Sequence, residues 1–179
     1  SAASDVYKRQ DVACNLDSSI VYVTGGYSNS IAAINVADPS SPSRVGGIID
    51  GTNLNAPIGI VYEASGDLLF VACHNGDALT VLSVADDAAS PVVLGSVSST
   101  SYMDAARFVA SFPAAGLVFV TGTWSDSVCV VDVSDPSTPT VKEGLVDSTY
   151  MDGANGIAWD PAAKLLFATG ASSDSLAVM

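Results

Sequence analysis

The residues best suited to chemistry in this chain come in repeated sets. Tyr102-Met103-Asp104 and Tyr150-Met151-Asp152 are the same tripeptide, 48 positions apart. An aromatic ring beside a carboxylate suits a binding surface, because the ring offers flat apolar contact and the carboxylate a strong acceptor. His74 with Asp77 and Trp124 with Asp126 stand in two further turn-rich segments. The candidate ligand-binding residues are therefore Tyr102, Asp104, Tyr150, Asp152, His74, Asp77, Trp124 and Asp126. No catalytic residue is expected. His74 is the single histidine, and no Ser-His-Asp order or nucleophile elbow is present. Gly25-Gly26 lies between two strand-like runs, so it lacks the helix N-terminus that cradles phosphate. No metal ligand or cofactor is assigned. Calcium is only weakly suggested, since it takes about 6–8 oxygens and two or three carboxylates from separate segments do not supply them. Cys14, Cys73 and Cys129 are odd in number and form no C-x-x-C pair. They read as small buried apolar residues.

Composition narrows the partners. Of 179 residues, 49% are hydrophobic and only 14% charged, which requires most elements to be covered on both faces. Six basic residues against 19 acidic ones give a net charge of −13, which repels phosphate backbones and excludes nucleic acid as a partner. No apolar stretch reaches the ~18 residues of a membrane helix.

The elements that must position these residues follow from an internal repeat. Ile20-Val21-Tyr22-Val23, Leu68-Leu69-Phe70-Val71, Leu117-Val118-Phe119-Val120 and Leu165-Leu166-Phe167-Ala168 start 48, 49 and 48 positions apart. Around each lie three further apolar runs in constant phase, separated by Gly, Pro, Ser, Asn and Asp. Short runs rich in Val and Ile read as strands. The expected strands in the first unit are 12–15, 20–24, 31–36 and 45–49. Four antiparallel strands per unit at this period indicate an all-β chain with the architecture of a β-propeller. Its four-stranded blades carry strands A (innermost) to D (outermost). The B–C hairpins and D–A connections then share one rim, the top, and all eight candidate residues fall there. The Asp38-Pro39 and Asp135-Pro136 turns belong to the opposite rim.

Val128-Cys129-Val130-Val131-Asp132-Val133-Ser134-Asp135-Pro136 resembles the LVIVD repeat, and Ile34-Asn35-Val36-Ala37-Asp38-Pro39 is a weaker copy. Blade two departs, with Asp86-Asp87 in place of Asp-Pro. Tyr22-Val23-Thr24-Gly25-Gly26 and Gly156-Ile157-Ala158-Trp159-Asp160-Pro161 are similar to YVTN and NHL propeller repeats. The LVIVD resemblance implies an extracellular or cell-surface protein.

Residues 1–10 resemble a translated sequencing adapter and stand outside the repeat. The remainder, 11–179, divides into blades of about 11–58, 59–106, 107–155 and a truncated 156–179. The expectation is a propeller fragment with three complete blades plus most of a fourth, whose partners include the missing blades of the same chain. The functional expectation is a non-catalytic scaffold binding a protein, glycan or small molecule on the top face. Cations, hydroxylated ligands and basic segments are favoured over anions. The alternatives are a lactonase-like or other hydrolytic propeller with a metal at the channel mouth, and a structural repeat within an adhesin.

Overall fold

A computed structural model of the chain describes residues 11–179, so the adapter-like segment at 1–10 lies outside the described residues. Blade one comprises β1 (Val12–Asn15), β2 (Ile20–Gly25), β3 (Ser30–Asn35) and β4 (Ser43–Ile49). Blade two follows with β5 (Pro57–Glu63), β6 (Leu68–Cys73), β7 (Ala78–Ser83) and β8 (Val92–Ser98). Blade three holds β9 (Ala106–Phe112), β10 (Leu117–Gly122), β11 (Ser127–Asp132) and β12 (Thr140–Val146). The last sheet holds β13 (Ala154–Asp160), β14 (Leu165–Gly170) and β15 (Ser175–Val178). Every sheet runs in sequence order with antiparallel neighbours. The all-β architecture of four-stranded blades repeating every 48 or 49 residues is therefore observed. The innermost strands of the later units begin at Pro57, Ala106 and Ala154, one or two residues before the expected unit boundaries. Among the described residues, no helix is long and apolar enough to cross a membrane.

The apolar runs explain the packing. β6 and β7 are buried along almost their whole length, whereas β8 at the outer edge alternates exposed and half-buried residues. Three apolar clusters fill the joints between successive blades. Each contains one plug from the connection entering the next innermost strand: Leu54, Met103 and Met151, all 0% exposed. Burying such a side chain contributes about 1.5–3 kcal/mol. The Met of each candidate tripeptide is thus a joint residue.

The lower rim shows what the Asp-Pro turns do. Asp38 Oδ1 accepts the Ser40 N–H at 2.9 Å, and Asp135 Oδ1 accepts the Ser137 N–H at 2.9 Å. Blade two departs less than its sequence suggests. Asp87 Oδ1 accepts the Ala89 N–H at 2.9 Å, so the turn keeps its Asx bond and only the proline is replaced, by Ala88. This turn also docks on blade one, where the Gly47 N–H donates to Ala89 O at 2.8 Å and the Tyr22 hydroxyl to Ala88 O at 2.8 Å. A Cβ at Gly46 would fall 2.0 Å from Ala89 O, which explains the glycine there.

The cysteines divide. Cys73 and Cys129 are buried as expected, and burial pushes both thiols up to about 12. Cys14 is exposed, contrary to expectation. It lies on the side of β1, with exposed Val12, that no described blade covers.

Candidate functional site

The top rim is built by a small set of local devices. The B–C hairpins of blades one and two pass through a 3₁₀ turn, Gly26–Ser28 or His74–Gly76. All four hairpins place one residue in the left-handed region: Asn29 (φ 48°), Asp77 (47°), Asp126 (50°) and Asp174 (48°). Asn and Asp tolerate this conformation better than most residues, which explains the residue choice.

Three of these side chains then bridge to the next blade's entry loop. Asn29 Oδ1 accepts the N–H of Ala56, Asp77 Oδ1 that of Ala105 and Asp126 Oδ1 that of Gly153, each at 2.9 Å. The three receiving residues also have positive φ: 53°, 55° and 64°. One oxygen of Asp77 and of Asp126 is thus committed to holding a loop. These two members of the candidate set are loop anchors, a role the neutral Asn29 performs equally well.

The entry loops carry the tripeptides. The backbone carbonyl of Asp104 accepts the Trp124 N–H at 3.1 Å, and that of Asp152 accepts the Ser172 N–H at 2.9 Å. Asp104 is half-buried and Asp152 exposed. Neither carboxylate has a hydrogen-bond partner among the described residues. Tyr102 is half-buried with its ring packed so closely on Gly144 that a Cβ there would lie 2.1 Å from it. Its carbonyl accepts the Ser127 hydroxyl at 2.9 Å. Tyr150 is exposed, and its carbonyl is bonded by Ser175. Blade two has Ala78 at this serine position. Thr80 and Cys73 bond the equivalent carbonyl of Asn53 instead.

His74 and Trp124 come together from neighbouring blades, with ring centroids 5.5 Å apart and planes at 80°. Trp124 is 71% exposed, so one edge meets His74 and the remaining surface faces solvent. Beside them, between blades one and two, lies a cleft of about 460 Å³. Gly26, Tyr27, Asn29, Asn55, Ala56, Ile58, His74 and Asn75 line it, none carrying a fixed charge. His74 Nδ1 lies 3.0 Å from Asn75 Oδ1, which directs the ring. Only His74 of the candidate set lines this cleft. Tyr27, Asn55, Ile58 and Asn75 stand outside the set, yet repeat phase could have found them. Tyr27, Asn75 and Trp124 are equivalent hairpin tips, as are Asn55, Asp104 and Asp152 in the entry loops. No three His, Cys, Asp or Glu side chains gather as a metal site among the described residues.

This arrangement is that of a β-propeller, with loops from successive blades sharing one rim. No protein-family model matches the chain, and no curated protein does. Solved structures do. A functionally unknown protein from Desulfotomaculum acetoxidans matches with a TM-score of 0.76 at 18% identity, over 97% of this chain and 55% of its own. A 6-phosphogluconolactonase candidate from Bacteroides fragilis matches with a TM-score of 0.77 at 11% identity, over 95% and 49%. A chain of the nidogen/laminin complex matches with a TM-score of 0.66 at 13% identity, over 96% and 59%. At these identities the likeness is one of fold. The chain spans about half the length of the structures it matches.

Proposed function

We propose that the top rim binds a neutral, hydroxyl-rich ligand, a glycan foremost, and that the domain is a non-catalytic scaffold of a secreted or cell-surface protein. One observation carries this reading. In a chain of net charge −13, the cleft between blades one and two is lined by aromatic rings and amides without any fixed charge. Amides of Asn55 and Asn75 donate to and accept from hydroxyl groups, while Tyr27 and Trp124 offer exposed rings to the apolar face of a sugar. The surface localisation rests on the resemblance of Val128–Pro136 to LVIVD repeats.

Calorimetric titration with neutral oligosaccharides tests the reading. Tyr27→Ala and Asn55→Ala should each weaken binding at least tenfold, with the fold intact by circular dichroism. Absence of binding to every neutral oligosaccharide would overturn it. A second reading is a hydrolytic propeller, favoured by neighbours from Bacteroides fragilis and Bacteroides uniformis that carry a lactonase name. Lactone hydrolysis above the buffer rate, with or without added divalent metal, would establish that alternative.

A further inference from the structure

The innermost strands of the last three blades share a fault at the same step. The ladder shifts between Pro57 and Ile60 in β5, beside Ala106 in β9 and between Ala154 and Ile157 in β13. Such bulges re-aim a side chain and concentrate beside functional sites. The first residue inside each fault is equivalent from blade to blade: Ile58, Arg107 and Asn155. Ile58 lines the uncharged cleft. One blade further on, the same position carries a guanidinium, and one beyond that an amide.

Both polar groups are incompletely satisfied. Arg107 Nε and Asn155 Oδ1 are buried and have no hydrogen-bond partner among the described residues. A buried donor or acceptor left unmade is costly, so a polar ligand group that reached these two atoms would gain from pairing them. The two strands bearing them pack directly on each other. The backbone is held firmly: Thr121 Oγ1 donates to Asn155 O at 2.8 Å, as Thr24 Oγ1 donates to Ile58 O at 2.7 Å. Repeat phase makes Asp77, Asp104, His74 and Trp124 the equivalents, for Arg107, of the Asn29, Asn55, Gly26 and Asn75 that line the cleft with Ile58. Asp77 is engaged with Ala105. Arg107 forms no ion pair with Asp104 among the described residues, where the only such pair is Lys142–Asp132.

We propose that Arg107 and Asn155 form a carboxylate-selective step beside the neutral cleft, so that the rim takes an oligosaccharide containing a uronic acid. This rests on the glycan reading above and adds one acidic unit to the otherwise neutral ligand proposed there. The guanidinium fork matches a planar carboxylate. Asn155 Oδ1 accepts from a neighbouring sugar hydroxyl, while neutral units of the ligand occupy the cleft along the same rim. Repulsion from charges more than about 8 Å away is largely screened at physiological salt, so Arg107 has to outweigh only the acids of its own position, Asp77 and Asp104.

The test titrates the 179-residue chain with a panel of uronate-containing oligosaccharides, each beside its neutral methyl ester. The wild type should prefer at least one acid over its ester by about tenfold, with the preference shrinking as salt rises. The Arg107 Nε–H resonance should shift with the acid and not with the ester. Arg107→Gln should reduce the preference to less than twofold while retaining ester binding, and Trp124→Ala should weaken both. If acid and ester bind equally, or the Arg107 resonance does not respond, the carboxylate step is overturned and the glycan reading stands. If neither member of any pair binds, both fall. The wild-type resonance and salt dependence decide the matter even where Arg107→Gln does not fold.

Discussion

Asp126 shows how a residue chosen for binding chemistry can be occupied by architecture. Its carboxylate oxygen holds the Gly153 N–H, and it sits in the left-handed turn that ends its hairpin tip. Asp126→Ala should therefore destabilise the chain by about 1 kcal/mol in urea denaturation. Asp126→Asn should be nearly neutral, because Asn29 already makes the same bond in blade one. Equal losses for the two variants would show that charge, and not the anchor, matters. The thiols offer a second check. In the native chain iodoacetamide should label one cysteine, Cys14. Cys73 and Cys129 should react only in denaturant, since burial removes both access and the thiolate.

Turns and plugs decide stability at the scale of elements. The carboxyls of Asp38, Asp87 and Asp135 are held below their ordinary range, chiefly by hydroxyls of Ser40, Ser90 and Ser137 and then by backbone N–H groups. A folded-state value below the unfolded one stabilises the fold above the unfolded pKa of about 3.9. That contribution disappears as pH falls through the depressed folded values. The urea midpoint should thus drop on acidification below about pH 4. Asp38→Asn, Asp87→Asn and Asp135→Asn together should flatten that drop while keeping the Oδ1 acceptor. Plugs act differently. Met103→Ala leaves a hole in the joint between blades two and three and should cost about 2–5 kcal/mol at any pH.

For the whole molecule, the rim is the surface on which separate blades act together. A ligand bound there touches loops of different blades and should raise the melting temperature of the chain. At a hundredfold excess over Kd the expected gain is about 2.7 kcal/mol. A neutral oligosaccharide should produce this shift in the wild type and about half of it or less in Tyr27→Ala at the same concentration, as followed by differential scanning calorimetry. A shift of equal size in both proteins would place the ligand elsewhere.

The strands, their period and the order within each blade were legible in the residues alone. Alternating or continuous Val, Ile and Leu runs encode strands locally, and turn residues such as Asp38-Pro39 act within two or three positions. Phase also identified the top rim and the equivalence of Asp104 with Asp152. What phase could not reveal was how each equivalent side chain is used. Asp77 meets Ala105, and Tyr22 meets Ala88, only because blades stack across long stretches of sequence. The exposure of Cys14 likewise depends on which blade faces it, not on its own strand. The uncharged cleft and the orphaned Arg107 and Asn155 were decided at the same level. Hydrogen bonds and burial across blade joints are long-range facts, and a local pattern of residue types carries no record of them.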